Sequence, residues 1–301
     1  MGSTARETAR VFLADADGVT IREAVDADWV DAGRICYEAF ATLADRHGFP
    51  HDFPTVAAAA EPIHWMINHP QFFDIVAEKD GRVIGSNHMD ERGTISAIGP
   101  ITVDPAAQDR RIGRRLMEVA LERARQTGTP GVRLVQISYH NRSLSLYTRL
   151  GMDVKESFAA MHGDPIRERL PGYAVRPAAL DDEDACNALC LRVHGHTRAG
   201  EVHEAIESGD ARVVERLGRI TGYTTKINYF FHSVAETNDD MKALISEAED
   251  FGTPGYLVPL SNGELLRWSL AHGLRIFFLV NLMALGIYQE PRGAYLPSVG
   301  Y

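Results

Sequence analysis

The amino-acid sequence predicts an α/β (α+β) protein built from two copies of one sheet-and-helix domain. Three observations lead there. Strand-like and helix-like stretches alternate along the chain, three short motifs recur in the same order, and one strand runs into a strongly basic turn that opens a helix.

Clusters of β-branched residues mark strands over residues 19–22, 74–78, 82–86, 94–103, 131–138 and 154–161. Helical patterns fall at 27–44, 112–127 and 143–150. In the second of these, Ile112, Leu116, Val119, Ala120 and Ala124 share one face. The run IFFLVNLMAL at 276–285 is too short to span a bilayer and reads as a buried strand.

The repeats define the organisation. TIREAVDAD at 20–28 returns as AVRPAALDD at 174–182, and EKDGRVIG at 78–85 returns as ERLGRITG at 215–222. Both members of the second pair read as hairpins turning at a glycine, Gly81 and Gly218. NRSLSLYTRLG at 141–151 returns as NGELLRWSLAHG at 262–273, with Tyr147 and Trp268 each six residues after an asparagine. The expected domains are 19–163 and 173–301, joined by the proline- and charge-rich DPIRERLPG.

Composition narrows the function. With 45% hydrophobic and 24% charged residues the chain is an ordinary globular sequence. Its 41 acidic against 31 basic residues, net −10, argue against a nucleic-acid partner. No transmembrane span or signal core is expected, and arginine at position 6 breaks a myristoylation pattern. The cysteines Cys36, Cys186 and Cys190 fit core positions in a reducing, cytoplasmic setting. The histidines, including His47, His51, His64, His69, His194, His196 and His203, lack metal-ligand spacing, so no metal is expected.

Against this acidic background, QDRRIGRRL at 108–116 gathers Arg110, Arg111, Arg114 and Arg115 around Gly113. The strand ITVDP runs into this turn and the turn into a helix. The first N–H groups of a helix lack internal partners and sit at the positive end of its dipole, which suits an anion. Glycine allows close backbone approach, and arginine offers donors matched to phosphate. Read from these residues alone, the turn is either an anion site or a solvated face balanced by Asp104, Asp109, Glu118 and Glu122. In the second copy the corresponding stretch, SVAETNDDMKALI, has neither glycine nor arginine, so the chemistry belongs to the first.

The order strand, V-x-P, Q-x-x-x-x-G turn, helix, strand, N-x-x-x-x-x-Y-x-x-L-G resembles the GNAT superfamily of N-acetyltransferases over residues 19–163. The second copy resembles a degenerate GNAT domain, so the whole is similar to tandem-GNAT proteins, each domain a mixed, mostly antiparallel twisted sheet flanked by helices. Gln108 and Gly113 fit the family turn, Q/R-x-x-G-x-G/A, while Arg111 replaces its middle glycine. The resemblance implies acetyl-coenzyme A as co-substrate, its pyrophosphate on Gln108, Asp109, Arg110, Arg111, Ile112, Gly113 and Arg114. The Arg111 side chain, where the family has glycine, must either swing away or join the phosphate contacts, and the second is favoured. It implies that the backbone of Ile101, Thr102 and Val103 pairs with the pantetheine arm, that a bulge or splay near 98–100 admits the thioester, and that Asn141 holds the arm or thioester. Tyr147 would be the general acid for the departing thiolate. Trp268 cannot take that role.

The implied activity is transfer of an acetyl group to an amine of a small molecule or peptide, by direct attack in a ternary complex. The alternative is an acyl-coenzyme A sensor without turnover. An amine of pKa near ~10 must lose a proton first, yet TISAIGPITV lacks the carboxylate common in the family on this strand. His88, Asp90, Glu91, the Tyr301 carboxylate and water all stay open as the base. The aromatic segment 40–73, with Phe40, Phe49, Phe53, Trp65, Phe72 and Phe73, reads either as an acceptor lining or as a helical pair packed on the sheet. The second copy's role is either to complete an acceptor pocket or to provide packing.

Overall fold

A computed structural model describes residues 9–14, 17–108 and 110–300. The chain forms two compact units: Met1–Asp90 with Ile98–Gly128, and Glu91–Ala97 with Thr129–Tyr301.

The first unit contains β1 (Val11–Ala14), β2 (Val19–Glu23), α1 (Trp29–His47), α2 (Val56–Ile67), β3 (Phe72–Lys79), β4 (Arg82–Asp90), most of β5 (Ser96–Val103) and α3 (Ile112–Thr127). β1 to β5 lie side by side in chain order. The β3–β4 register sets Asp74 opposite His88 and Val76 opposite Ser86. Side chains alternate between faces. On one face Val76 packs with Ile35 of α1. On the other, Leu116 of α3 meets the backbone around Gly85, and its carbonyl accepts from Asn87 Nδ2 at 3.4 Å. The amphipathic pattern seen for α3 is real: Ile112, Leu116, Ala120 and Ala124 are buried.

The second unit continues with β6 (Gly131–Ile137), α4 (Asn141–Arg149), β7 (Asp153–His162), β8 (Ala174–Pro177), α5 (Glu183–His194), α6 (Ala199–Glu207), β9 (Arg212–Arg216), β10 (Arg219–Thr224), β11 (Ser233–Ala235), α7 (Asn238–Ser246), β12 (Tyr256–Pro259), α8 (Gly263–Ala271), β13 (Arg275–Gly286) and β14 (Ala294–Leu296). Five strands form an antiparallel sheet in the order β14-β11-β10-β9-β8. The apolar run 276–285 is indeed a strand, β13, and it lies between β6 and β7: Leu282 pairs with Val135, and Val280 with Phe158. A strand of the second repeat therefore completes a sheet begun by the first, and the compact units do not follow the repeat boundaries. At its start β5 runs parallel to β6, with Ser96 opposite Val132 and Ala97 opposite Arg133. Two residues further on, Gly99 takes φ 141°, a value that favours glycine and interrupts regular strand geometry where the sequence suggested a bulge.

The repeat is visible in atomic detail. Arg22 donates from Nη1 and Nη2 to the two carboxylate oxygens of Asp28 at 2.7 and 2.9 Å and from Nε to Glu78 at 2.8 Å. Arg176 donates in the same way to Asp182 at 2.6 and 2.9 Å and to Glu215 at 2.9 Å. Asp28 and Asp182 also accept the N–H of Val25 and Ala179, each at 2.8 Å. The hairpins match as well: Asp80 and Gly81 have φ 50° and 75°, Leu217 and Gly218 have 54° and 73°. Two consecutive positive-φ residues are the signature of a type I′ turn.

These clamps differ in exposure. The Arg22 side chain is 16% exposed and that of Arg176 40%. Charge-assisted hydrogen bonds strengthen as water is excluded. Arg22→Met should therefore lower unfolding free energy by about 2 kcal/mol, and Arg176→Met by less. Urea melts of the two variants measure this, and equal losses would contradict it.

Candidate active site

The basic turn lies wholly in the first unit. After β5, Asp104 caps a short 3-10 turn by accepting the Ala106 N–H at 2.8 Å. Gln108 then reaches back toward the Val103 carbonyl at 3.5 Å. Arg111 follows with φ 59° and ψ 15°, the left-handed conformation, and serves as the N-cap of α3. It thus adopts at this family glycine position a backbone shape that glycine takes freely, at a conformational cost of about 1–2 kcal/mol. Its carbonyl accepts the Arg115 N–H at 3.1 Å. Among the described residues, the N-cap Arg111 makes no side-chain cap bond, and the first turn of α3 holds no acidic residue.

The four arginines divide their work. Arg114 pairs with Glu118 at 2.7 Å along the helix face, as a solvated face would have it. Arg115 donates to the Arg110 carbonyl at 3.0 Å and braces the turn. Arg110 and Arg111 are exposed. Ile112 is buried, so its side chain serves the core and only its N–H faces the turn. A methyl group added at Gly113 would meet Val103 Cγ2 at 3.7 Å, an ordinary contact, so the protein's own packing does not demand glycine there. On β5, Thr102 is buried with its hydroxyl 3.3 Å from that of Ser86, while Ile101 and Val103 are half-buried. Asp109 and Tyr301 lie outside the described residues.

Asn141 and Tyr147 belong to the second unit. Asn141 is the first residue of α4 and exposed; its carbonyl accepts Ser145 Oγ at 2.8 Å. Tyr147 is buried, and burial pushes its phenol well above the ordinary value, so it stays protonated at neutral pH. The counterparts in the second repeat are tied down. Asn262 caps α8 through the Leu265 N–H at 3.2 Å and bonds to Asn238 at 2.7 Å. Trp268 Nε1 donates to Glu168 at 2.7 Å.

The clearest contrast is between helix starts. The helix corresponding to α3 is α7, and its N-terminus is filled from within. Thr237 accepts the Asp240 N–H at 3.2 Å, and Asp240 accepts from the Thr237 N–H at 3.1 Å, closing a capping box. Asp240 is fully buried and also accepts from Thr221 at 2.5 Å and Arg216 at 3.2 Å. A resident carboxylate therefore stands where an anion would dock. A cavity of about 720 Å³ does lie beside this helix start, lined among others by Glu156, Glu236, Asn238 and Asn262.

Of the candidate bases, Asp90 and Glu91 are half-buried. His88 is fully buried, its Nδ1 2.6 Å from Asp74 Oδ1, and its Nε2 has no hydrogen-bond partner among the described residues. Asp74 escaped the sequence reading because only strand register brings it opposite His88. In the segment 40–73, Phe40, Phe53 and Phe72 pack on the α1–α2 core around Cys36 and Ile63, which favours the helical-pair reading for them. Trp65 is 46% exposed on α2. The same segment hides Asp52, also missed: it is 5% exposed, its Oδ1 has no partner among the described residues, and burial pushes its carboxyl up to about 7. Among the described residues no group of three or more His, Cys, Asp or Glu is placed to hold a metal ion, and no helix is long and apolar enough to cross a membrane.

Residues 37–152 match the family model described as acetyltransferase (GNAT) family. Mycothiol acetyltransferase from Thermomonospora curvata is 38% identical over 80 residues, which are 25% of this chain and 26% of that protein. The match thus spans about a quarter of that relative's length. Three solved structures resemble nearly the whole chain. A putative acetyltransferase from Pyrococcus horikoshii has TM-score 0.71 at 17% identity, covering 94% of this chain and 96% of its own. A GCN5-related N-acetyltransferase from Sphaerobacter thermophilus has 0.62 at 16%, covering 92% and 98%. A tandem GNAT protein from the clavulanic acid biosynthesis pathway has 0.53 at 14%, covering 92% and 97%. At these identities the structural likeness is one of fold. The matched segment is thus similar to the GNAT family, and the fold of the chain resembles that of the tandem GNAT protein.

Two outcomes follow from the site. Arg111→Gly keeps a residue at ease with φ 59° and should change stability by less than about 0.5 kcal/mol. Arg111→Val puts a β-branched residue there and should destabilise by about 1–2 kcal/mol; thermal melts that ranked them otherwise would refute the left-handed turn. The second concerns Asp52. The folded chain holds the Asp52 proton more tightly than the unfolded chain, so this group favours folding in acid. That contribution is complete below the ordinary carboxylate value and is lost as pH rises through about 7. The Tm of Asp52→Asn relative to wild type should therefore climb between pH 5 and pH 8, and a constant difference would contradict the buried acid.

Proposed function

We propose that the protein is an N-acetyltransferase that transfers the acetyl group of acetyl-coenzyme A to an amine by direct attack in a ternary complex. The observation that carries this reading is the start of α3: a helix N-terminus that, among the described residues, has no side-chain cap from its N-cap and no first-turn acid, entered through Arg111 in the left-handed conformation and flanked by exposed arginines. The second repeat, with Asp240 in the equivalent place, makes the open state of the first a specific property.

In this reading the pyrophosphate accepts from the N–H groups of Ile112, Gly113 and Arg114. Gln108, Asp109 and Arg110 belong to the same cofactor-binding stretch, and the Arg111 guanidinium adds charge. The room beside Gly113 supports the fit, because glycine leaves the approach open to a ligand. Ile101, Thr102 and Val103 offer backbone groups to the pantetheine arm, and Asn141 its amide. Tyr147, kept protonated by burial, supplies the proton for the departing thiolate. The acceptor is an amine of a small molecule or peptide, and the working location is the cytoplasm. The domains are the repeats 19–163 and 173–301, with the second non-catalytic. The name of the Thermomonospora relative supports acetyl transfer as the chemistry.

One observation favours a different reading, an acyl-coenzyme A sensor: the strand sequence TISAIGPITV carries no carboxylate to act as base. Calorimetric titration separates the possibilities. Acetyl-coenzyme A should bind at one site per chain, and Tyr147→Phe should keep that affinity while lowering turnover of a primary amine about 100-fold. Two sites would assign cofactor binding to both repeats, no binding would refute the acetyltransferase reading, and binding with no turnover of any amine would favour the sensor.

A further inference from the structure

Four buried polar residues of the first unit, Asp74, Ser86, His88 and Thr102, form a row across its sheet. Asp74 on β3 and His88 on β4 are directly opposite and share a face. Ser86, two residues before His88, lies on that same face, and its hydroxyl is 3.3 Å from Thr102 on β5. The same face carries Val76, packed with Ile35 of α1. All four polar residues are at most 5% exposed.

The register between β4 and β5 places the row against a particular point. The Ile84 carbonyl accepts the Asp104 N–H at 3.0 Å, and Ser86 meets Thr102. A step of two along β4 is thus a step of two back along β5, as in any antiparallel pair. Continuing it sets His88 opposite Pro100. Pro100 has no N–H to give a ladder bond, and Gly99 beside it has φ 141°. This is where β5 departs from regular strand geometry, one residue before the stretch assigned to the pantetheine arm.

The imidazole is oriented for one task. With the Asp74 carboxylate at 2.6 Å, the proton of the neutral ring belongs on Nδ1, which leaves Nε2 as a bare acceptor. That acceptor is buried and has no partner among the described residues. A buried lone pair left unsatisfied calls for a donor, and water is the smallest donor that could serve it.

We infer that His88 accepts the proton of the acceptor amine through one bridging water, with Asp74 as the positioning residue that fixes its tautomer. The inference rests on the acetyltransferase reading and supplies the base that TISAIGPITV lacks. The amine nitrogen bonds to the thioester carbonyl carbon as the carbon–sulfur bond breaks. The amine proton passes to the water while the water gives a proton to His88 Nε2, and the imidazolium is held by the Asp74 carboxylate. The departing sulfur takes the Tyr147 proton. Exchange with solvent then removes the proton from His88 and restores that of Tyr147, so the enzyme returns to its starting state.

The test measures acetylation of phenethylamine, spermidine and lysine amide by the full chain, with acetyl-coenzyme A binding followed by calorimetry. For the best of these amines, His88→Gln should lower kcat about 100-fold at pH 7 with cofactor affinity unchanged. The acid limb of the pH–rate profile should be lost in that variant. Asp74→Asn should lower kcat while Nε2 protonation, seen in ¹⁵N spectra of the ring, replaces Nδ1 protonation. A merely structural role would leave both the profile and the tautomer unmoved. If His88→Gln does not fold, the Asp74→Asn tautomer and kcat decide alone. Wild-type turnover and pH profile in a folded His88→Gln, or an unchanged tautomer in Asp74→Asn, would overturn the inference. Failure of the wild-type chain to acetylate any of the three amines would instead remove the reading beneath it, and the role with it.

Discussion

A helix must satisfy its first N–H groups with something, and that requirement shapes both halves of this chain. In α7 the answer is internal: Thr237 and a buried Asp240 close the end with side chains already present. In α3, among the described residues, the N-cap Arg111 makes no side-chain cap bond and the first turn holds no acid, and the chain enters through a left-handed residue. One fold thus carries two opposite solutions to a single electrostatic problem. The difference depends on a few side chains, because the helix dipole is common to both. An acidic protein can hold a local anion site in this way, since backbone donors and nearby arginines act at short range while distant carboxylates are screened.

The same contrast explains how the two repeats diverged without losing their fold. The arginine–carboxylate clamp at Arg22, Asp28 and Glu78 is reproduced bond for bond at Arg176, Asp182 and Glu215, and the hairpins beside them share a turn type. Those features hold the first strand against its neighbours and orient the helix that follows. They are scaffold, and both repeats keep them. What changed is the rim: Asn262 spends its amide on Asn238 and on its own helix, and Trp268 on Glu168. Groups engaged in that way are no longer available to a ligand.

Much of this was legible in the sequence, for physical reasons. Hairpins announce themselves because a type I′ turn needs residues at ease with positive φ, and α3 because its apolar stripe has helical period. The repeat emerged because clamp and turn depend on specific residue types at fixed spacing. Other features escaped for equally definite reasons. Nothing local says that Arg111 is left-handed, since arginine rarely is. Asp74 and His88 sit on the two arms of one hairpin, and they face each other only because the register shifts by one between Ala77 and Glu78. Asp52 was not singled out, because hydropathy carries no signal for a carboxyl enclosed by the fold. The aromatics of 40–73 were open to two readings, and packing around Cys36 and Ile63 decides for the core in the case of Phe40, Phe53 and Phe72.

The placement of β13 between β6 and β7 has a consequence for how the protein comes into being. Gln136 bonds to Asn281, 145 positions later, so this part of the sheet cannot close until nearly the whole chain has left the ribosome. Until then β6 and β7 each present an unpaired edge, the kind of surface that invites pairing with the wrong strand. A chain cut between the two repeats would keep β6 and β7 without the strand that joins them.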